Sequence, residues 1–354
     1  DLEVYVFDQA GEVTLFKGGD GYPFSQRVME HRNFLYPLNL AANGHIEVFV
    51  RVETTSSLQF PVYLWEHQAF YGQEQATLLL QGLYFGLLLL MILYNLFIYF
   101  SVRERVYLIY VCYIASLVLA LTTMHGFGFQ FLWPESLWWQ EKCSIICCAL
   151  ALGFVTWFAD EFLNLRAASE GFSKTLRAIA VTSAACGVAA FVVPYGVLAG
   201  PVGLLITLGA ALSLGAGIYA WRRNVNSARY FTFACSSLLL GAVLMGLNKN
   251  GIIPRSFWAE NGVQLGSAIE AVLLSLALAG RINVLKLQKE RAQADALDIQ
   301  TQVAKQLEVE VQNQTRELQD KTEKLQQLND ERSRFFQNIS HELRTPLTLL
   351  LAPL

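Results

Sequence analysis

Charged side chains are scarce in this sequence: they make up 16% of the 354 residues, whereas hydrophobic residues make up 54% and the mean hydropathy is +0.36. This composition excludes an ordinary soluble protein and places much of the chain in lipid. A basic excess is also absent, since the formal net charge is −3. Nucleic acid is therefore not an expected partner, whereas membrane lipids are.

Residues 1–76 contain no cysteine, so no disulfide can crosslink that segment. All six cysteines lie within apolar runs further along the chain. Cys143, Cys147 and Cys148 are close together, but no histidine or acid accompanies them at metal-ligand spacing. We therefore expect packing rather than metal binding from these thiols, and no metal site in the chain.

Seven apolar runs predict seven transmembrane helices, because about 20 residues cross the hydrocarbon core of a bilayer. The runs are Thr77–Phe100, Val106–Thr123, Cys143–Phe162, Leu176–Tyr195, Pro201–Trp221, Tyr230–Leu247 and Gly262–Ile282. The predicted fold is thus membrane α-helical, with a seven-helix domain over residues 77–282. Loops 101–105, 164–177 and 222–229 are richer in Lys and Arg than the alternate loops. By the positive-inside rule, the N-terminal head lies outside and the C-terminal tail in the cytoplasm.

The head, residues 1–76, has the short alternating segments and turn signals of a β-structure. The predicted strands are Leu2–Phe7, Glu12–Lys17, Asn33–Leu40, His45–Glu53 and Phe60–Glu66. They indicate part of an antiparallel β-sandwich. Head aromatics either stack on a sugar or pack in the core and at the domain interface, and we favour packing. These aromatics are Tyr22, Phe24, Trp65 and Phe70.

The tail contains no glycine and no proline from Arg281 to Thr345, which predicts one long helix. A heptad pattern places Leu297, Leu318 and Leu325 in its a row. This pattern favours a coiled-coil signalling helix over residues 283–332 and a parallel homodimer. The alternative is a solvated single helix without a partner.

Residues 335–350 read FFQNISHELRTPLTLL, and their chemistry suits phosphoryl transfer. The His341 imidazole is a possible phosphoryl acceptor, and the neighbouring Glu342 carboxylate can relieve it of a proton. Thr345 is four residues beyond His341, on the same helical face, where it is placed to orient a water molecule. Pro346 removes a helical hydrogen bond and is expected to kink the helix.

The whole string closely resembles the H-box of the HisKA family of sensor histidine kinases. That resemblance implies that His341 is autophosphorylated, that Glu342 is the general base and that Thr345 acts in dephosphorylation. It also implies ATP as the cofactor, and the receiver domain of a response regulator as the partner that accepts the phosphoryl group. No ATP-binding motif occurs in the sequence, so that domain is expected outside this chain. We expect the chain to be a fragment that ends within its phosphoacceptor domain, residues 333–354.

Residues 94–134, YNLFIYFSVRERVYLIYVCYIASLVLALTTMHGFGFQFLWP, resemble the seven-transmembrane receptors with diverse intracellular signalling modules. Residues 38–70, LNLAANGHIEVFVRVETTSSLQFPVYLWEHQAF, are similar to the end of that family's second class of extracellular domain, a jelly roll thought to bind carbohydrate. The resemblance implies a bacterial inner-membrane sensor with a periplasmic ligand of unknown identity, carbohydrate being one candidate. Its periplasmic signal would be relayed to autophosphorylation of His341 and then to a response-regulator aspartate.

Glu270 lies near the middle of the seventh predicted span, where an isolated ionised carboxylate costs several kcal/mol. We expect it to be protonated, hydrogen-bonded or exposed to water. The candidate partners are Ser236, Ser237, Tyr94 and Asn95. A signalling role and a purely structural role both remain open for it. The alternative functions for the whole chain are a seven-span transporter, which predicts several charged pore-facing residues, and a membrane adaptor with a helical stalk.

Overall fold

The computed structural model describes residues 1–7, 12–40, 44–54, 60–225, 227–249, 251–254 and 256–351. The chain divides into two compact units, Asp1–Arg281 and Ile282–Leu354. The first unit contains the head and the membrane helices. The second contains most of the last helix and the segment with His341.

The head contains one three-stranded antiparallel sheet. Its strands are β1 (Leu2–Phe7), β2 (Val13–Gly18) and β3 (Glu47–Val52), in the order β2-β1-β3. The central strand β1 pairs on both sides, with Leu2 opposite Gly18 on one neighbour and opposite Val52 on the other. Three of the five predicted strands are thereby confirmed, with ends shifted by one or two residues.

The strands predicted at 33–40 and 60–66 are wrong, because neither segment forms a strand in the described structure. Each contains a proline, Pro37 and Pro61, which has no N–H to donate to a β-ladder. Hydrophobic alternation alone therefore overestimated the sheet. Among the described head residues there is no second sheet facing the first, so the sandwich stays a prediction.

Two of the four head aromatics pack rather than face solvent. Phe24 is buried and meets Phe129 edge-on, with ring centroids 5.8 Å apart. Phe70 meets the His31 ring at 5.5 Å. Tyr22 and Trp65 are exposed. The Phe24 contact and a hydrogen bond from its N–H to the Pro134 carbonyl, 2.9 Å, attach the head to the membrane helices.

Nine helices follow the head in the described part of the chain, two of them of four residues. They are α1 (His67–Val102), α2 (Arg105–Met124), α3 (Leu137–Phe162), α4 (Leu165–Ala168), α5 (Glu170–Ala189), α6 (Tyr195–Arg222), α7 (Ala228–Lys249), α8 (Phe257–Glu260) and α9 (Gly262–Leu351). A π-helical turn, Gly128–Leu132, lies between α2 and α3.

Six segments of the described chain are long and apolar enough to cross a membrane, and α5 is not one of them. The six are α1 to α3, α6, α7 as far as Asn248, and α9 as far as Ile282. The α5 helix has 20 residues, but its first turns carry Glu170, Lys174 and Arg177. It forms a helix where the fourth span was predicted, and the count of seven spans stays a prediction.

Close backbone contact joins α7 and α9. A Cβ on Gly266 would lie 2.5 Å from the Ser237 carbonyl oxygen, and a Cβ on Gly241 would collide with the Gly262 carbonyl. The small residues at Gly262 and Gly266 thus serve packing within the bundle. The similar pair on α1, Gly82 and Gly86, is different, since a Cβ on either would meet no atom of the described residues within 4 Å.

In the second unit, α9 is helical as far as Leu351 and continues through Pro346. The long helix predicted for the tail is therefore confirmed. The apolar heptad residues Leu297, Leu318 and Leu325 are exposed in the single chain. Pairing of this helix as a coiled coil stays a prediction.

Candidate functional site

The first part of α9 forms hydrogen bonds with α1, α2 and α7 along most of its membrane depth. We call the hydrogen-bonding groups of α9 from Gln264 to Leu278 the polar seam. Its members recur every three or four residues, so most of them lie on adjoining faces of the helix. Buried hydrogen bonds have few alternative partners in a lipid-surrounded bundle, and they therefore fix the rotation and height of a helix.

The N-terminal end of the polar seam is a reciprocal pair of carboxamides. Gln264 Nε2 donates to Gln81 Oε1 at 2.8 Å, and Gln81 Nε2 donates to Gln264 Oε1 at 3.3 Å. One turn deeper, the hydroxyls of Tyr84 and Ser267 share a hydrogen bond of 2.8 Å. These contacts tie α9 to α1. No charged group takes part in them.

Three tyrosines of α2 form hydrogen bonds with the middle and C-terminal part of the seam. Tyr107, Tyr110 and Tyr113 are spaced by three residues, which places their side chains on one side of α2. Tyr107 Oη donates to the Leu278 carbonyl at 2.8 Å, and Tyr110 Oη donates to the Ala271 carbonyl at 2.7 Å. All three tyrosines are almost completely buried. Their spacing was visible in the sequence, but the helix they face was not.

Glu270 is 1% exposed and accepts a hydrogen bond from Tyr113 Oη at 2.6 Å. The sequence-based candidates for its partner were wrong. Ser236 and Ser237 donate to backbone carbonyls, and Asn95 donates to Ser275 Oγ at 2.9 Å. Tyr94, the fourth of these candidates, is 46% exposed, whereas Glu270 is buried. The expectation that Glu270 is hydrogen-bonded is confirmed, and the donor comes from α2.

The C-terminal end of this α9 segment contacts the C-terminal end of α3. Arg281 Nη1 lies 3.4 Å from the Glu161 carbonyl oxygen and 3.3 Å from that of Phe162. A guanidinium is favourable there because the last carbonyls of a helix lack partners within it and carry partial negative charge. In the sequence, Arg281 stood out only as the start of the predicted tail helix.

A second charged contact joins α3 to α5. Asp160 is 1% exposed, and its Oδ2 accepts a hydrogen bond from Arg177 Nε at 2.7 Å. Arg166 Nε lies 3.9 Å from the same oxygen. Sequence reasoning missed this pair, although the acid at the end of one apolar run and the arginine at the start of the next were both visible. Their separation of 17 residues gave no indication that they meet.

The predicted phosphorylation site lies in the second unit. His341 and Glu342 are consecutive exposed residues of α9. The side chain of Thr345 lies outside the described residues. The roles of all three residues stay predictions. Among the described residues, no group of three His, Cys, Asp or Glu side chains is arranged to hold a metal ion.

Comparison with known proteins adds three findings. Residues 77–281 match the family described as 7TM diverse intracellular signalling, and residues 1–66 match the domain family 7TMR-DISM extracellular 2. A 46-residue stretch is 44% identical to Hybrid signal transduction histidine kinase D of Dictyostelium discoideum. That stretch is 13% of this chain and spans 3% of the relative's length. No solved structure matches the chain.

Proposed function

The chain belongs to the 7TM diverse intracellular signalling family, and on that premise we propose that it is the sensing and transmitting part of a transmembrane histidine kinase. The observation that supports this proposal is that two features lie on the same helix, α9. One helix of 90 residues contains both the polar seam and the H-box-like string around His341. A helix that is held in the membrane by specific partners and carries a phosphoacceptor motif suits a transmitter of conformation.

The polar seam gives such a transmitter discrete positions. A shift of α9 by part of a turn breaks several buried hydrogen bonds, and an intermediate position leaves polar groups unpaired in a medium of low dielectric constant. Packed interfaces of this kind switch between alternatives rather than deform continuously. A signal on the outer side changes output only through different affinities for the alternative states.

The proposed reaction is phosphoryl transfer from ATP to His341. An imidazole nitrogen attacks the γ-phosphorus, the bond to the bridging oxygen breaks, and ADP leaves. Glu342 is proposed to accept the proton of the imidazole. Thr345 is proposed to support the later hydrolysis of the phosphorylated response regulator. The phosphoryl group then passes to an aspartate of a response regulator. ATP is bound, in this proposal, by a catalytic domain outside these 354 residues.

The proposed assembly is a parallel homodimer joined through residues 283–332. The proposed location is the bacterial inner membrane, with the head in the periplasm and residues 283–354 in the cytoplasm. The family membership and the apolar helices support a multi-pass membrane protein. The basic loops support the orientation.

The test is autophosphorylation of the full-length protein in membrane vesicles with γ-labelled ATP. We expect acid-labile label in the unchanged protein and none in His341→Gln. The matched control is His45→Gln, because His45 is an exposed histidine of the head. Label that persists in His341→Gln would contradict the assignment of the phosphoacceptor.

A further inference from the structure

A cavity of about 710 Å³ lies within the first unit, between the head and the outer ends of the membrane helices. Its wall includes head residues near Arg27, and its membrane side includes residues of α1, α2, α8 and α9. Small-molecule sites commonly have volumes of about 300–1,000 Å³. The cavity is therefore large enough for a small organic ligand.

The head wall of this cavity has charged residues that already have partners. Arg27 Nη1 donates to the His31 and Arg32 carbonyls at 2.8 and 2.7 Å, and its Nη2 lies 3.6 Å from Asp20 Oδ1. Burial lowers the pKa of the Arg27 guanidinium, and the Asp20 carboxylate opposes that shift. Its Cζ is also 4.3 Å from the centre of the Phe34 ring. Arg27 is thus a structural part of the wall.

The second arginine of the wall is paired in the same way. Arg32 Nη2 lies 3.1 Å from Glu74 Oε1 of α1, and its Cζ is 4.8 Å from the centre of the Phe127 ring. Because both guanidiniums are matched by carboxylates, the wall offers little net charge to a ligand. An anionic ligand would have to compete with Asp20 and Glu74.

The residue of the polar seam that lines this cavity and its neighbours on α1 are uncharged. Gln81 and Gln264 both line it, and they are 7% and 6% exposed. Tyr84 lines it as well. The carboxamides that meet the cavity are therefore the same groups that connect α1 to α9. Each presents one acceptor and one donor side by side.

We infer that this cavity binds a small uncharged polar molecule that presents an adjacent hydrogen-bond donor and acceptor, as an amide or a vicinal diol does. The ligand exchanges the reciprocal bonds between Gln81 and Gln264 for bonds to itself. Each carboxamide keeps its hydrogen bonds, while the direct link between α1 and α9 is lost. The effect of this exchange on kinase output rests on the proposed function; the binding itself does not.

The experiment places a tethered probe in the cavity of the full-length protein in membrane vesicles. Thr77 lines the cavity on α1, and Thr77→Cys provides the attachment point. Leu78→Cys is the matched control, because Leu78 is the next residue and is 46% exposed but does not line the cavity. The probes are three methanethiosulfonates of similar size: hydroxyethyl (uncharged), trimethylammonium-ethyl (cationic) and sulfonatoethyl (anionic). The unchanged protein gives the background from the six native cysteines.

Two measurements follow the labelling. The first is hydrogen exchange of the backbone over residues 262–268, which does not depend on kinase activity. The second is phosphorylation of His341. With the hydroxyethyl adduct on Thr77→Cys, we expect exchange over 262–268 to accelerate at least threefold and phosphorylation to change at least threefold. The Leu78→Cys adduct should change neither by more than the experimental error.

Each outcome decides a different statement. An adduct on Thr77→Cys that leaves exchange over 262–268 unchanged overturns the inference, whatever the kinase does. Faster exchange in a protein that never labels His341 supports the cavity and overturns the proposed function. The reaction rate of each probe with Thr77→Cys is divided by its rate with free mercaptoethanol. If this ratio is more than tenfold higher for the cationic probe than for the hydroxyethyl probe, the inference of an uncharged ligand is overturned. The ligand would then be a cation held by Glu260, which lines the cavity.

Discussion

Glu270 and Tyr113 form a buried hydrogen bond between side chains of α2 and α9, and it helps to fix how these two helices meet. A carboxyl group in the bilayer interior is costly unless it is neutral or hydrogen-bonded. Tyr113 supplies a phenolic donor at 2.6 Å to one carboxyl oxygen. Because Tyr110 donates to the next residue of α9, Ala271, the α2 face is matched to one rotation of α9.

We predict that Tyr113→Phe shifts kinase output and destabilises the bundle by about 1–3 kcal/mol, since it removes a donor and leaves a buried acceptor unpaired. Glu270→Leu should also shift output. Glu270→Gln should resemble the unchanged protein if hydrogen bonding, rather than charge, is what matters. Thermal unfolding in detergent and phosphorylation in membranes measure the two effects.

The control for this series is Tyr94→Phe, because Tyr94 is 46% exposed on α1. Expression of each variant is measured by immunoblot. Unchanged output in Tyr113→Phe, Glu270→Gln and Glu270→Leu, with normal expression, would leave the carboxylate a purely structural role.

Glu342 and Thr345 lead to a prediction about the two directions of the phosphoryl reaction. Glu342→Gln removes the carboxylate that is proposed to take a proton from the imidazole, so autophosphorylation should slow by about 10²–10⁴-fold, the usual contribution of a general base. Thr345→Ala should leave autophosphorylation within about threefold and slow dephosphorylation of the response regulator. Rapid-quench kinetics with the full-length protein measure both rates. If each variant slowed autophosphorylation and dephosphorylation to the same extent, Glu342 and Thr345 would share a structural role instead.

At the scale of elements, α9 was largely predictable and its partners were not. Continuous helical propensity and the absence of glycine and proline over 281–345 predict the helix directly. In lipid, however, a helix is apolar on its buried and its exposed side, so hydrophobic periodicity does not indicate its rotation. On α1, for example, Leu88 is 0% exposed and Leu83 is 64% exposed. Which tyrosines face α9 therefore depends on packing that the sequence pattern does not reveal.

The head shows the opposite difficulty, since its local pattern was clear and its pairing was not. Strands β1, β2 and β3 follow from alternation and turns. The segments 33–40 and 60–66 have similar alternation, yet each contains a proline that lacks the N–H that a ladder requires. Given more weight, Pro37 and Pro61 would have corrected both strand predictions from sequence alone.

The exposed heptad residues of α9 lead to a prediction about assembly. In a parallel dimer, residues of the a row face each other across the axis. Leu318→Cys and Leu325→Cys should therefore crosslink between subunits in membranes, at a rate at least tenfold above that of Glu323→Cys. Glu323 is two residues before Leu325, at the outward f position of the heptad that begins at Leu318. Nonreducing electrophoresis measures the product, and equal crosslinking at all three positions would exclude a fixed seam.

For the whole molecule, the side of the membrane that each end occupies depends on α5. Seven spans place the head and the segment with His341 on opposite sides, whereas six place them on the same side. Arg177 at the start of α5 has a carboxylate partner in Asp160, which offsets part of the cost of a charge near the bilayer. Beyond Arg177, the residues from 178 to 195 contain no Asp, Glu, Lys or Arg. The whole of α5, Glu170–Ala189, is about 30 Å long as a helix, so it can cross a bilayer with its charged first turns near one surface.

We therefore predict that α5 crosses the membrane and that the segment after it faces the periplasm. Val192 follows α5 and is 85% exposed, and Asn224 follows α6. In intact cells with a permeable outer membrane, a membrane-impermeant maleimide should label Val192→Cys, and it should label Asn224→Cys only after lysis. The unchanged protein measures labelling of the native cysteines. The reverse pattern, with Asn224→Cys labelled first, would mean that α5 does not cross. The basic residues that follow α6 would then lie outside, against the positive-inside rule.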